Sequence, residues 1–301
     1  MMAEQMIQAN GVELCTEPFG DPADPPILLI MGVGASMLLW EDGFCRILAE
    51  GGRFVLRYDH RDTGRSVTYP PGRPGYSGAD LVADAAGVLD AYGISAAHVV
   101  GVSAGGAFAQ LLAVDVPDRV RSLVLISTSP ALPGAAPRGL PPPAEAFTRF
   151  VTTAQVDWSD PESVIDHLVD YYRVLAGSQR RFDETAVREL VRRDVRRARN
   201  FAALQNHDAI AEADDGRLPA GPLSSIGVPT LVIHGSADPM FPLAHGQALA
   251  DEIPGARLLP LEGAGHGVDR ADWVTLIPAI LEHTAPDSRT APTRSRIGFC
   301  L

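Results

Sequence analysis

Cysteine is scarce, with Cys15, Cys45 and Cys300 the only three in 301 residues. An odd, scattered set supplies neither a disulfide framework nor the paired spacing of a metal site, so all three read as free thiols. Positive charge is also short, 25 Lys and Arg against 37 Asp and Glu, for a net charge of −12. A nucleic-acid backbone would be repelled, which argues against such a partner and suits a soluble acidic enzyme. No apolar run reaches bilayer-spanning length, and Met1-Met2-Ala3-Glu4-Gln5 has neither the basic start nor the apolar stretch of a secretory signal. The expectation is a cytoplasmic protein with no membrane partner. Solenoid periodicity is absent too, and the length suits an open α/β sheet with an inserted segment.

What is present is an alternation of apolar strand-like runs and helical stretches, the pattern of a mostly parallel sheet wrapped by helices. Only the start differs: Met6–Asn10 and Val12–Glu17 are joined by Asn10-Gly11, a hairpin signal that predicts an antiparallel beginning. Within the alternation, Gly101-Val102-Ser103-Ala104-Gly105 stands between the β-branched run Ala97-His98-Val99-Val100 and a helix-like run from Gly106 to Val116. The five-residue pattern alone would arise by chance in about one chain in ten of this length, at ordinary glycine frequency. Its strand-turn-helix setting is what a nucleophile elbow needs. A turn that tight drives the serine toward positive φ and demands small residues two before and two after it. The hydroxyl is then held out at the strand's carboxyl end, and the Ala104 amide opens a helix aimed at a reacting carbonyl.

An activated serine needs a base, and the base an orienting acid, in the chain order Ser, Asp, His for this kind of elbow. Pro229–Gly235 is an apolar strand that runs into Ser236-Ala237-Asp238-Pro239, and Ala256–Leu261 is another that runs into Glu262-Gly263-Ala264-Gly265-His266-Gly267. Ser103, Asp238 and His266 therefore each follow a strand of their own, a more specific signal than any one of them. His98 and His234 fall inside strands, and His60, His167, His207, His245 and His283 lack the glycine-flanked position, so these read as structural. The strand after the elbow helix, Ser122–Ile126, ends in Ser127-Thr128-Ser129 with no carboxylate, which leaves the acid's role to Asp238. An oxyanion hole needs a second backbone donor besides Ala104. The strand Pro26–Ile30 breaks at Met31-Gly32-Val33-Gly34, with Trp40 following Gly32 after eight positions.

The chain resembles the α/β-hydrolase superfamily over about residues 6–284, and within it the aclacinomycin methylesterases and the cofactor-free haloperoxidase and esterase branch. The resemblance rests on Phe19-Gly20-Asp21-Pro22-Ala23-Asp24-Pro25, Met31-Gly32, Arg57-Tyr58-Asp59-His60-Arg61-Asp62-Thr63-Gly64-Arg65-Ser66, His98-Val99-Val100-Gly101 and Pro229-Thr230-Leu231-Val232-Ile233. It implies a sheet of about eight strands flanked by helices, with an inserted helical cap. It also implies a serine hydrolase that cleaves a small-molecule carboxylic ester, a methylesterase-like activity, with no metal and no cofactor. By the same resemblance Val33 N–H is the second oxyanion donor, although Met31 replaces the usual histidine and removes one bond that steadies the loop. Ala104 stands where that family carries methionine. Epoxide hydrolases and dehalogenases of this fold need an aspartate at the elbow, and carbon–carbon bond hydrolases a longer glycine-rich oxyanion loop. Two other classes use the same residues: a cofactor-free perhydrolase or haloperoxidase, and a ligand-binding protein with negligible turnover.

The core is assigned to residues 1–129 and 222–284, the cap to 130–221 and a polar tail to 285–301. Helices are predicted near 144–156, 161–176, 183–204 and 205–213, placed to overhang the elbow and shape a pocket. Gly32, Phe147, Tyr171 and Phe201 are the named candidates for touching substrate, with Phe150, Tyr172 and Leu204 beside them. Arginines at 180, 181, 188, 192, 193, 196, 197 and 199 make one cap helix strongly basic. Val187, Val191, Val195 and Ala198 recur at helical spacing, so most arginines fall on the other side, a solvated face paired with acidic residues of the core. Steering of an anionic substrate, or a contact between copies in a homo-oligomer, are the alternatives. The arginines and aspartates of Asp59–Ser66 are expected to pair with one another and hold their loop.

Overall fold

A computed structural model describes residues 3–132, 134, 139–212 and 221–285. The opening hairpin forms as β1 (Gln5–Ala9) and β2 (Val12–Phe19), with Asn10 and Gly11 both at positive φ, 47° and 75°. Those are the two central residues of a type I′ turn, whose twist matches the strands it joins. β3 (Pro26–Ile30), β4 (Phe54–Tyr58), β5 (Ala97–Val102), β6 (Val120–Ile126), β7 (Thr230–Gly235) and β8 (Arg257–Leu261) are parallel to one another. Only the pairings of β2 with β1 and with β4 are antiparallel. The order across the eight-stranded sheet is β1-β2-β4-β3-β5-β6-β7-β8. After β3 the chain pairs β4 on one side and then returns to place β5 on the other. Between the carboxyl ends of β3 and β5 lies the reversal point where open α/β sheets bind ligands.

Both faces of the sheet are covered, which is why its strands are apolar throughout rather than alternating with polar residues. Leu28, Ile30, Val99, Leu123 and Leu125 face one side, packed with α2 (Gly78–Ala91), α3 (Ala104–Asp115) and α8 (Ala244–Glu252). Their neighbours Ile27, Leu29, Val100, Val124 and Ile126 face the other, packed with α1 (Asp42–Glu50) and α9 (Trp273–His283).

Between β6 and β7 the described chain holds four helices, α4 (Glu145–Thr153), α5 (Pro161–Leu175), α6 (Glu184–Arg197) and α7 (Gln205–Glu212). They carry a small core of their own from Val164, Ile165, Leu168, Val169 and Val191. The helix expected over 183–204 ends early, at Arg197. Ala198 turns to extended backbone, and the Arg199 amide bonds the Gly64 carbonyl at 2.8 Å instead of continuing the helix. Residues 286–301, which hold nearly all of the expected tail and Cys300, lie outside the described residues. No helix among the described residues is long and apolar enough to cross a membrane.

The elbow binds the sheet together at one point. A Cβ on Gly105 would overlap the carbonyl oxygens of Ile30 and Met31, and one on Gly101 would overlap that of Gly105. These neighbours are backbone and cannot swing aside. Gly105→Ala is therefore expected to cost at least about 2 kcal/mol of stability, the scale of overpacking. Urea denaturation checks it: a midpoint equal to that of the parent chain would show that β3 yields freely to the helix.

Candidate active site

Ser103 has φ 55° and ψ −125°, a backbone state that side chains rarely adopt, at the junction of β5 and α3. It is held there from two sides. Its N–H donates to the Ile126 carbonyl at 3.0 Å, and its own carbonyl accepts from Thr128 Oγ1 at 2.7 Å. Strain of this kind persists only where the surroundings over-determine it. Ala104 is the first residue of α3, so its N–H has no helical acceptor behind it. Gly32, at the end of β3, lies against the serine, with a Cβ built there 3.2 Å from Ser103 Cβ and 3.7 Å from Ser103 Oγ. Val33 follows at once, half-buried.

Asp238 follows β7 and is buried. Its Oδ1 accepts the amides of Met240 and Phe241, both at 2.9 Å, and its Oδ2 accepts from His266 Nδ1 at 2.8 Å. Burial alone would push this carboxyl up, but the bond and charge of His266, with the Phe241 amide, together hold it below its ordinary value. The carboxylate thus fixes the proton of His266 on Nδ1 and leaves Nε2 free to accept. Phe241 lies edge-on to the imidazole, ring centres 5.6 Å apart. The loops of Asp238 and His266 are sewn together by Gly263 N–H to Ser236 Oγ at 2.8 Å and Ala237 N–H to the Ala264 carbonyl at 2.9 Å. Asp269, a nearby carboxylate, instead caps a short turn by accepting the Ala271 amide.

The end of β6 joins the serine and histidine loops. Ser127, at φ 44°, accepts the Gly267 amide at 3.2 Å, while its neighbour Thr128 holds Ser103. Among the described residues no hydrogen bond closes between Ser103 Oγ and His266. Ser127 escaped sequence reasoning because it was weighed only as a missing carboxylate.

The loop after β3 is steadied by histidines that sequence reasoning had set aside as structural. His60 Nε2 donates to the Met31 carbonyl at 2.9 Å. The Gly34 amide donates to His207 Nδ1 at 2.8 Å, and His207 Nε2 donates to the Arg61 carbonyl at 2.8 Å. Each bond fixes a neutral tautomer, and together they brace the loop after β3. The segment 59–66 departs from expectation: its charged residues do not pair with one another. Asp59 accepts the Met37 and Arg65 amides and pairs with Arg197 at 2.7 Å, Arg61 pairs with Asp84 at 2.7 Å, and Arg65 pairs with Glu4 at 2.9 Å. Other elements supply the partners.

Of the named substrate contacts, Gly32 touches the elbow. Phe147 and Tyr171 meet with ring centres 6.3 Å apart, in an aromatic group with Phe150 and Tyr172. Burial pushes the Tyr171 hydroxyl up to about 12, with the charges of Asp208 and Asp238 adding to it, so this ring lies within electrostatic reach of the site's acid. Phe201 instead packs at the α5–α6 cluster and lines a small cavity with Gly34, Asp194 and Leu204. The basic helix α6 is largely paired: Arg188 with Asp166, Arg192 with Glu162, Arg193 with Asp42, and Arg197 with Glu4 and Asp59. Among the described residues no group of three or more His, Cys, Asp or Glu could hold a metal ion.

The family described as alpha/beta hydrolase fold matches residues 25–268. The chain belongs to the α/β-hydrolase fold family. It is 37% identical over 295 residues to rhodomycin D methylesterase DauP of Streptomyces sp. strain C5, covering 94% of this chain and 98% of that one. Rhodomycin D methylesterase DnrP of Streptomyces peucetius is 36% identical over the same shares. Among solved structures, 2-hydroxy-6-oxo-6-phenylhexa-2,4-dienoate hydrolase of Rhodococcus sp. strain RHA1 superposes with a TM-score of 0.72 at 23% identity, covering 94% of this chain and 98% of that one. Esterase RhEst1 of Rhodococcus sp. ECU1013 gives 0.70 at 21%, covering 94% and 100%. At those identities the two structures speak for the fold alone.

The buried histidines carry a pH dependence with a definite sign. Burial lowers His60, His98 and His207 to about 4, below their ordinary 6.5, with a smaller push from Arg121 on His98 and from His60 on His207. The unfolded chain therefore takes up these protons first, and folding stability falls as pH falls from about 6.5 toward 4. Asp194, raised by burial to about 6, and Asp59 and Asp84, also pushed up by burial, oppose this by taking up protons in the folded state. At 1.36 kcal/mol per pH unit for each proton the histidines are expected to prevail, with a net loss on the order of 3 kcal/mol. Urea midpoints compared between pH 7 and pH 4.5 test it; an unchanged midpoint would mean that these rings are not held neutral.

Proposed function

We propose that the protein is a serine esterase that cleaves a carboxylic ester through an acyl-enzyme, with methyl esters of large aromatic acids as the favoured substrate class. The observation that carries the chemistry is the 2.8 Å bond from His266 Nδ1 to a buried, ionised Asp238 beside a serine on a strained elbow. Similarity to two rhodomycin D methylesterases over nearly the full length supports the ester class.

Ser103 Oγ attacks the ester carbonyl carbon while His266 Nε2 takes its proton. The carbonyl oxygen becomes an oxyanion that accepts from the Ala104 and Val33 amides, worth roughly 3 kcal/mol for each donor. The intermediate collapses, and His266 returns the proton to the departing alcohol, methanol for a methyl ester. Water then attacks the acyl-enzyme with the same base and releases the acid, restoring Ser103. Throughout, Asp238 holds the tautomer and stabilises the imidazolium. The aromatic side chains Phe147 and Tyr171 of the inserted helices supply an apolar wall for the acyl part. A cytoplasmic location belongs to the same reading, supported by the buried free thiols of Cys15 and Cys45.

Steady-state kinetics on a graded panel of p-nitrophenyl esters, run beside methyl esters of aromatic polyketides, tests the proposal. Ser103→Ala is expected to lower kcat by about a million-fold and Asp238→Asn by about ten-thousand-fold with little change in KM. Retention of more than about a hundredth of the parent rate by Ser103→Ala would remove the serine from its role. One methylene in an apolar pocket is worth about 1–3 kcal/mol, so neighbouring acyl lengths should differ modestly. Exclusive turnover of a charged ester would overturn the apolar pocket.

A further inference from the structure

The loop that carries His266 is not supported by the sheet alone. One of its walls is the carboxyl end of α5, within the inserted helices. The last carbonyls of a helix lack partners inside it, and that of Leu175 is taken by the His266 amide at 2.8 Å. The fit is close. A Cβ on Gly265 would overlap the backbone of Leu175 and Ala176, and a Cβ on Gly177, itself at φ 73°, would lie 3.1 Å from the Ala237 carbonyl in the Asp238 loop. Three residues further on, the Arg180 guanidinium forks, with one nitrogen on the buried Asp272 carboxylate and the other on the Glu262 carbonyl. Glu262 opens the loop that ends at His266. The stretch from Leu175 to Arg180 is thus clasped by both loops that hold the acid and the base.

We propose that Arg180 is a positioning residue for the reaction: through Glu262 and the end of α5 it holds the His266 loop at the height that serves Ser103. This rests on the reading of Ser103, Asp238 and His266 as the working triad. It also ties the carboxyl end of α5 to the site, because that end cannot lift without releasing the His266 amide.

Arg180 touches no reacting atom, so its effect should fall on kcat. With p-nitrophenyl butyrate as probe, Arg180→Ala is expected to lower kcat about ten- to hundred-fold, the scale of an ångström of misplacement, with KM within about two-fold. Arg180→Lys keeps one donor and should recover part of that loss. Groups that act as a unit are non-additive, so in an Asp238→Asn background the same Arg180→Ala change should cost less than about three-fold. A role in general stability would lower the urea midpoint and leave kcat per folded molecule unchanged. The proposal is overturned if kcat stays within two-fold of the parent while Ser103→Ala is inactive, or if Arg180→Ala costs the same in both backgrounds. Activity surviving in Ser103→Ala would instead bring down the triad reading beneath it.

Discussion

The backbone of α3 passes so close to the end of β3 that no side-chain atom fits between Gly105 and the carbonyls of Ile30 and Met31. Because the approach is that close, the chain must leave β5 through a strained residue, and Ser103 occupies it. The same approach places the first amide of α3 beside the loop after β3, where two donors from different segments can converge on one oxygen. The remaining parts are arranged around this junction. β6 lies next to β5 and holds the elbow through Thr128, while Ser127 reaches the histidine loop. Asp238 and His266 come from the next two strands in the sheet, so neighbours in strand order become neighbours in the site.

A second layer of support comes from charges at the boundary between the inserted helices and the sheet. Arg197 reaches from α6 to Asp59 and Glu4, and Arg180 reaches to Asp272 and Glu262. These pairs are partly buried, where losing one partner costs far more than at a solvated surface. The basic helix α6 thus meets carboxylates of the core through Arg193 and Arg197 and carboxylates of α5 through Arg188 and Arg192. The local excess of arginine in a chain of net charge −12 is largely met by carboxylates, with Arg197 the buried member and Arg192, Arg193 and Arg199 paired at the surface.

What could be read in the sequence follows a physical pattern. The elbow was legible because a steric rule imposes small residues at fixed positions within five, and the Asn10-Gly11 hairpin because a type I′ turn demands two positive φ values in succession. The positions of Asp238 and His266 were legible because parallel strands deliver their carboxyl ends to one edge. Contacts made by backbone atoms left no such mark. The Leu175 carbonyl that receives His266 is indistinguishable in sequence from any other, and the end of α6 was misplaced because a long-range bond from Arg199 to Gly64 overrides a helical pattern that continues past it. His60 and His207 were read as structural, but their task of bracing the loop after β3 depends on partners that lie 29 and 173 positions away.

The central claim is that the strained serine is the group that becomes acylated. Treatment of the intact protein with diethyl p-nitrophenyl phosphate, whose phosphorus is attacked by an activated serine with loss of p-nitrophenolate, followed by peptide mass spectrometry, tests it most directly. The account predicts one diethylphosphoryl group per chain, on the peptide that contains Ser103, with ester hydrolysis lost in proportion to labelling. Labelling of a different residue in step with loss of activity, or full loss of activity with Ser103 unmodified, would contradict it.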